Sequence, residues 1–358
     1  MFGLIPSLYS SDIKRWFRNK GKSVTLREGY EDYCWSSGGA EALATICKHV
    51  AKSKKREINV YLPGYFCGQS LRYLRALPIK LCFYPLDAAL LPDYAKIKAS
   101  HKDFSVDIFV HVHYFGSSAG QQTSRNLAND LNATLIEDCA HVISPYALTD
   151  WKGDYLVFSP HKHFPLPKIA LVISKSSLGI TEPQNAGIFP VFWFLKQIFK
   201  KVRYARSPTQ WGKVWAEKSE VLKFIDSHLL TQKVTSNYLC DFKISADQRS
   251  WNTTALLNHF SLISGWRPLQ ELKKITSPYL VGMVCESEEI AKRRFNIINE
   301  KSQFVMQWPD LPFEIKNTNV EDESCLLVDR TLFFFNHQQI DTDCLLDEIV
   351  KLTKRKGF

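Results

Sequence analysis

The residues best suited to chemistry lie between Leu135 and Pro167. Asp138 and His141 stand three residues apart in T-L-I-E-D-C-A-H, and Lys162 follows a second apolar run, Y-L-V-F-S-P. A carboxylate can keep a heteroaromatic ring protonated, and that charge makes the ring an electron sink. A lysine amine can bond to an aldehyde once its pKa is lowered. The stretch therefore indicates an enzyme that holds a heteroaromatic cofactor with an aldehyde group.

Each of these residues also has an ordinary structural interpretation. An aspartate at a strand end often caps a helix, a strand-end serine such as Ser159 is often merely exposed, and most loop lysines are solvated. The neighbours of Lys162 favour a functional role. His161, His163 and Lys168 could lower the pKa of its amine by adding positive charge.

A glycine turn precedes the first long helical pattern. The chain reads S-S-G-G-A-E-A-L from Ser36, and apolar residues from Leu43 to Val50 follow at helical spacing. Backbone N–H groups of Gly38, Gly39 and Ala40 would lie at the positive end of the helix dipole, which suits a phosphate. The alternative interpretation is an ordinary helix start that contains glycine.

These motifs resemble those of a known family. I-E-D-C-A-H, G-D-x-x-x-F-S and the lysine just after them are similar to the DegT/DnrJ/EryC1/StrS family of pyridoxal-phosphate-dependent sugar aminotransferases. The similarity runs from about Tyr33 to the C-terminus and is strongest from Ser36 to Lys162. It implies an α/β protein of the fold-type I transferase class, with a mostly parallel sheet of about seven strands in the large domain.

The same resemblance implies two domains. We expect a large cofactor-binding domain at residues 1–245 and a small C-terminal α/β domain at residues 246–358. Within the small domain, the apolar patterns predict two strands and two helices. The strands are expected at residues 280–284 and 332–335, and the helices at 290–299 and 344–352.

The resemblance also implies roles around pyridoxal 5'-phosphate. Lys162 and Asp138 would be the catalytic residues, with Asp138 at the pyridine nitrogen and His141 beside the phenolic oxygen. Gly39 stands where the family has threonine, so one hydroxyl contact is lost while backbone contacts can remain. The implied cofactor-binding residues are Gly38, Gly39, Ala40, Phe66, Asp138, His141, Ser159 and Lys162.

Phe66 enters this set as the aromatic ring that would stack on the pyridine. It follows the short β pattern E-I-N-V-Y-L-P, as the stacking residue does in the family. Tyr65 is the near alternative, because the register is uncertain by one residue. A core aromatic at a strand end is an equally reasonable interpretation.

Three features depart from the family pattern. Only two residues separate Ser159 from Lys162, where the family usually has four. Lys168 and Ile169 replace the usual glycine pair after the lysine. The N-Y-R segment, with which a partner subunit completes the phosphate site, is not recognisable in residues 210–250.

The expected reaction is transfer of an amino group, with glutamate as the expected donor, to a nucleotide-linked keto-sugar. Lys162 would act as acid and base in moving the proton. One alternative is a non-catalytic or regulatory homologue that binds the cofactor. Another is a sugar dehydratase, which in this family carries histidine in place of the lysine. The run His161-Lys162-His163 leaves that register open by one residue, although only an amine can bond to the aldehyde.

Two histidines on one predicted strand raise a third possibility. His111 and His113 lie in V-D-I-F-V-H-V-H-Y-F-G, and residues i and i+2 of a strand point the same way. With His141 they could form a site for metal-dependent hydrolysis. The family's V-H-x-x-G segment at this place is not a metal site, and we therefore expect no metal.

A homodimer is expected, because the family builds its active site between subunits. The aromatic and basic stretch at residues 187–204 offers apolar surface for packing on the protein or a partner. The alternative for this stretch is a helix lying on a membrane surface.

The net charge of +10 over 358 residues favours anionic partners such as phosphorylated substrates. The basic residues are scattered, which argues against dedicated nucleic-acid binding. The nine cysteines show no C-x-x-C pair, the N-terminus lacks a signal-peptide pattern, and no run of 18 apolar residues exists. We expect a cytoplasmic protein with free thiols and no membrane span.

Overall fold

Two β-sheets organise the part of the chain that the structure describes. The structure is a computed structural model. The described residues are 12, 22–100, 105–148, 150–178, 229–269, 277–300, 304–308, 310–316 and 323–353. The predicted segment at residues 187–204 lies outside these ranges, as does much of 210–250.

The large sheet has seven strands in the order β1-β7-β6-β5-β4-β2-β3. Strands β2 to β6 run parallel to one another, and β7 is antiparallel to both β6 and β1. The strand bounds are β1 (Asp32–Ser36), β2 (Ile58–Pro63), β3 (Ile79–Tyr84), β4 (Ile108–Val112), β5 (Thr134–Cys139), β6 (Tyr155–Phe158) and β7 (Ala170–Ser174).

The central strands are nearly continuous apolar runs, as expected for parallel strands that are covered on both faces. Strand β6, Y-L-V-F, is buried at every position. The helix α1 (Gly39–Lys54) packs on one face with buried residues at helical spacing, from Ala42 to Val50. Helix α3 (Gln121–Asp130) is the crossover between the parallel strands β4 and β5.

The remaining helices follow the chain order. Their bounds are α2 (Tyr94–Ser100), α4 (Leu229–Cys240), α5 (Lys243–Phe260), α6 (Glu288–Asn299), α7 (Phe313–Lys316), α8 (Glu323–Arg330) and α9 (Thr342–Thr353). None of the described helices is long and apolar enough to cross a membrane. The cysteine side chains that the structure describes are free thiols.

The second sheet is antiparallel, with the order β10-β11-β9-β8. Its strands are β8 (Trp266–Pro268), β9 (Leu280–Cys285), β10 (Val305–Met306) and β11 (Thr331–Phe335). Strands β9 and β11, with helices α6 and α9, lie where the sequence predicts two strands and two helices. Helix α5 begins close to the expected boundary at 245. Its Ala246 belongs to the large-sheet core and its Leu256 to the small-sheet core.

One edge of the large sheet gathers the elements that matter for function. Strands β5 and β6 end there, at Cys139 and Phe158. Because β7 is antiparallel, it begins at the same edge, with Ala170 paired to Ser36 at the end of β1. Helix α1 starts just after Ser36. The register therefore brings the end of β5, the loop from β6 to β7 and the start of α1 together.

Candidate active site

Lys162 and Asp138 lie together at this edge of the sheet. Asp138 is the penultimate residue of β5 and pairs with Val157 of β6. Lys162 ends a short 3₁₀ turn, Pro160–Lys162, in which its N–H donates to the Ser159 carbonyl at 3.0 Å. Both side chains are half-buried. The charge of each shifts the pKa of the other, so the carboxylate and the amine face the same space.

The pKa of the Lys162 amine is lowered, chiefly because burial disfavours its charge. The negative charge of Asp138 opposes this shift, and so would that of the Cys67 thiol in its ionised form. Burial likewise raises the pKa of Asp138, which the charge of Lys162 opposes. The amine also lies 5.8 Å from the ring centroid of Tyr279. A lowered lysine pKa is what a nucleophilic amine needs.

The two histidines beside Lys162 are turned away into backbone contacts. His161 Nδ1 lies 2.8 Å from the Ile169 carbonyl, and His163 Nε2 lies 3.3 Å from the Ala140 carbonyl. Burial lowers the pKa of His161 to about 4 and that of His163 well below its usual value. Both rings are therefore neutral near neutrality. The expectation that these histidines lower the lysine pKa as cations is wrong, and burial is the cause instead.

His141 is held as a neutral hydrogen-bond donor. Its ring is stacked between Phe115, at 5.4 Å, and Tyr279, at 4.7 Å between centroids. Burial, and then the charge of Lys162, lower its pKa well below the usual value. Its Nδ1 accepts from the Phe115 N–H at 3.2 Å, so in the neutral ring the proton sits on Nε2. The imidazole can thus donate one hydrogen bond through Nε2.

Two residues that the sequence reasoning missed belong to this site. Tyr279 directly precedes β9, and its ring contacts His141, His163 and Lys162. Cys67 lies close enough to Lys162 for its charge to affect the pKa of the amine. Tyr279 lies far along the chain from the lysine motif and has no local signal. Cys67 directly follows the candidate Phe66, so a register one residue later would have pointed to it.

The glycine turn forms a close contact with Ser159. A Cβ on Gly39 would lie 2.7 Å from the Ser159 Oγ, so a larger residue here would require the serine hydroxyl to move. Ser159 is 2% exposed. Gly38 caps α1 without a side-chain hydrogen bond, and the first helical bond runs from the Ala42 N–H to the Gly38 carbonyl. The N–H groups of Gly39 and Ala40 are therefore left for another acceptor.

Phe66 lies in the core around the large sheet. It is 5% exposed and belongs to the cluster that α1 forms with β2 and its neighbours. Tyr65 is fully buried, with its ring 4.6 Å from that of Trp308. Neither residue is among the groups that affect the pKa of Lys162, whereas Cys67 is. The structure thus gives Phe66 a packing role, and its stacking on a cofactor ring stays a prediction.

The predicted histidine cluster is a buried hydrogen-bond network. His113 Nε2 lies 2.5 Å from Glu137 Oε2, and its Nδ1 lies 2.8 Å from the Ser117 carbonyl oxygen. The other Glu137 oxygen accepts from the N–H groups of Lys152 and Gly153. His111 contacts the Ser124 hydroxyl at 2.8 Å, and burial lowers its pKa to about 3.

These hydrogen bonds occupy the side-chain atoms that could otherwise bind a metal ion. Among described side chains, His113, Glu137 and Cys139 form the one group compact enough to ligate an ion. The potential ligand atoms of His113 and Glu137 are already hydrogen-bonded, and burial raises the pKa of the Cys139 thiol. His111 and His141 do not join this group, so the three-histidine metal site is not assembled.

Solved structures with the same architecture cover almost the whole chain. PseC of Helicobacter pylori, an aminotransferase involved in pseudoaminic acid biosynthesis, matches with a TM-score of 0.71 at 13% identity, over 98% of each chain. NtdA of Bacillus subtilis with bound PMP gives 0.69 at 13% identity, over 98% of this chain and 83% of that one. The Escherichia coli GDP-4-keto-6-deoxy-D-mannose-3-dehydratase with bound hydrated PLP gives 0.67 at 15%, over 96% and 90%.

The chain has the fold-type I architecture of pyridoxal-phosphate-dependent transferases. This confirms the predicted fold class and the seven-stranded sheet. No protein-family model matches the sequence, and no curated protein matches it. At such low identities the likeness concerns the fold, so the chemistry must be argued from this chain's own residues.

Within this fold-type I protein, most of the predicted site residues come together. The charges of Lys162 and Asp138 affect each other's pKa, and the charge of Lys162 helps to lower the pKa of His141. Ser159 begins the turn that carries Lys162. Ser159 in turn contacts the glycine turn at Gly39. Phe66 stands apart in the core. The arrangement combines a deprotonatable amine, a buried carboxyl, an imidazole donor and a set of free N–H groups.

Proposed function

We propose that this protein is a pyridoxal-phosphate-dependent enzyme that transfers an amino group to a nucleotide-linked keto-sugar. The observation that carries the proposal is the half-buried Lys162 with a lowered pKa, beside Asp138 and one turn from the Gly39–Ser159 contact. The fold is shared with sugar aminotransferases and dehydratases, several of which were solved with PLP or PMP. The net charge of +10 agrees with an anionic substrate.

The residues of this chain fit the cofactor. The N–H groups of Gly39 and Ala40 and the buried Ser159 hydroxyl are donors that suit a phosphate. Asp138 offers a carboxylate for a ring N–H, and His141 offers the Nε2 proton for a phenolate oxygen. When bound, the cofactor supplies an electron sink that stabilises negative charge on the substrate carbon.

Lys162 would perform the proton transfers. A lysine amine with a lowered pKa is deprotonated for a larger fraction of the time near neutrality, so it can take a proton from a substrate carbon. The ammonium that results is held by the charge of Asp138 and lies over the Tyr279 ring. It can then return the proton at a neighbouring carbon. Burial around the amine limits exchange with water.

The neighbouring histidines argue for amino transfer over dehydration. His161 and His163 have neutral, buried rings directed at backbone carbonyls, whereas the Lys162 amine faces Asp138. Lysine is therefore the group available at the reacting position. A sugar dehydratase remains the second candidate, since that activity occurs on the same fold.

Covalent trapping tests the proposal. After incubation with pyridoxal phosphate, the protein should show a visible absorption band, and borohydride should fix the cofactor to the peptide that contains Lys162. Lys162→Ala should lose both signals and all amino transfer, while His161→Ala should keep the covalent label. A wild-type protein that stays colourless, or a label on another lysine, would refute the assignment. Retained cofactor without a lysine label, together with sugar dehydration, would favour the dehydratase.

We further propose a homodimer in the cytoplasm with a nucleotide sugar and an amino donor as its small-molecule partners. The proposal is supported by the resemblance, in which the phosphate site is completed by a partner subunit. Light scattering should give about twice the chain mass of 41.2 kDa. A monomer at micromolar concentration would contradict it.

A further inference from the structure

The Glu41 carboxylate lies at the N-terminal end of α1 and is held there by three donors. Both of its oxygens lie 3.0 Å from Lys168 Nζ. Tyr73 and the backbone N–H of Glu41 itself also donate to it. Burial raises the pKa of Glu41, but the hydrogen bonds from Tyr73 and Lys168 outweigh burial and leave that pKa lowered. An ionised carboxylate therefore sits where an anion is favoured by the helix dipole.

Lys168 reaches across the glycine turn. A Cβ on Gly38 would lie 2.3 Å from Lys168 Cε and 2.9 Å from Lys168 Nζ. The register explains this position, because Lys168 precedes β7, and β7 begins beside the end of β1. A side chain at position 38 would therefore require the lysine stem to move. The ammonium thus stands over the first turn of α1.

A second donor lies at the same turn. Ser159 is 2% exposed, and a Cβ on Gly39 would lie 2.7 Å from its Oγ. The turn is therefore flanked by a lysine ammonium on the Gly38 side and a serine hydroxyl on the Gly39 side. These groups and the N–H groups that open α1 are all hydrogen-bond donors, as an anion requires.

We infer that Lys168 is a phosphate ligand supplied by the same chain, and that Glu41 holds its place until a phosphate binds. This rests on the proposed function, since the phosphate is taken to be that of the cofactor. Lys168 stands where the resembling family has a glycine pair, and the partner-supplied segment of that family is not recognisable in this chain. The chain thus provides its own cation for the phosphate site.

Glu41 and a bound phosphate would compete for the hydrogen bonds of Lys168. When a phosphate occupies the turn, Lys168 transfers its hydrogen bonds from the carboxylate to the phosphate. The negative charge of Glu41 then lies close to that of the phosphate and weakens its binding. Removing the Lys168 charge should lower phosphate affinity, and removing the Glu41 charge should raise it.

A comparison of two ligands isolates the contribution of the phosphate to the binding affinity. Pyridoxal phosphate and pyridoxal, which has the same ring but no phosphate, are titrated against each variant, and Kd is read from absorbance and protein fluorescence. Lys168→Met should weaken binding of pyridoxal phosphate about tenfold, the effect of one charge-assisted hydrogen bond, and leave pyridoxal unchanged. Glu41→Gln should tighten only pyridoxal phosphate. Lys168→Arg keeps the positive charge and should retain most of the preference for pyridoxal phosphate over pyridoxal.

Lys48→Met is the matched control. It removes an exposed lysine from α1, two turns beyond the glycine turn, with the same change of net charge. Its affinity for both ligands should equal that of the wild type. If Lys168→Met loses the same affinity for both ligands, the effect is structural and the inference is overturned. An unchanged preference for pyridoxal phosphate over pyridoxal would overturn it as well. If the wild type itself binds neither ligand, the proposed function fails first.

Discussion

The reactivity of Lys162 depends on its burial, and its immediate neighbours in sequence contribute little. His161 and His163 are neutral and bound to backbone carbonyls. The neighbouring groups that raise its pKa against the effect of burial are the Asp138 carboxylate and, in its ionised form, the Cys67 thiol. The pKa of this lysine is therefore a balance between a buried environment and one nearby carboxylate.

That balance can be measured by changing the carboxylate. Because Asp138 raises the pKa of Lys162, Asp138→Asn should lower it further. The rate of reductive methylation at Lys162, followed by mass spectrometry of its peptide, should reach half its maximum below the usual lysine pKa of 10.5 in the wild type, and lower still in Asp138→Asn. Exposed Lys48 in the same sample serves as the reference. An unchanged or higher midpoint in the variant would contradict the interaction between Asp138 and Lys162.

At the scale of elements, helix α5 links the lysine loop to the small sheet through a buried arginine. Arg249 is fully buried and donates to the carbonyls of Asn336, at 2.7 Å, and His163, at 3.2 Å. It also donates to the Gln338 side chain at 3.2 Å, and Gln338 in turn donates to the His163 carbonyl. Burial lowers the pKa of Arg249 to about 10, so it remains charged near neutrality. The loop that carries Lys162 is thus tied to the segment after β11.

Replacing Arg249 should loosen this connection. Arg249→Met keeps the stem but removes the Arg249 donor from the buried Asn336 carbonyl and one of the two donors from the His163 carbonyl. A hydrogen bond left unmade at a buried group costs about 1–3 kcal/mol. We expect the free energy of unfolding to fall by about 3 kcal/mol in a urea titration, with faster hydrogen exchange in the peptide around His163. Arg267→Met, which removes an exposed arginine on β8, should change neither quantity. Equal stability of the two variants would show that Arg249 does not hold the loop.

The sequence predicted the elements that carry local patterns and missed the contacts between distant ones. Strands β5 and β6 are marked by apolar runs that end in Asp138 and Ser159, and α1 by its glycine start, so these could be read directly. Tyr279 lies at the site because the chain just before β9 passes beside His141. No sequence pattern near Tyr279 predicts this contact. Lys168 contacts Gly38 because β7 is antiparallel, a reversal that a reading of successive segments does not reveal. The prediction that Phe66 stacks on the cofactor rests on its position after a strand, although that position also suits a core residue.

Across the whole molecule, several histidines are buried in the neutral form. Burial lowers the pKa of His111 to about 3 and that of His161 to about 4, and it lowers the pKa values of His141 and His163 well below the usual value. The unfolded chain protonates its histidines near pH 6.5. The unfolded state therefore takes up protons before the folded state does, and acid favours unfolding.

This difference predicts how stability depends on pH and how one substitution changes it. A histidine whose folded pKa is lowered has no effect on the pH dependence above about 6.5, and stability is lost as the pH falls from there toward the folded value, about 3 for His111. Each such group contributes a slope of about 1.4 kcal/mol per pH unit within its window. His111→Gln removes one of these groups, so urea titrations between pH 6.5 and 4.5 should show a slope smaller by about that amount. His49→Gln, at a half-buried position on α1, is the control and should leave the slope unchanged. A His111→Gln slope equal to that of the wild type would mean that His111 is not held neutral in the folded protein.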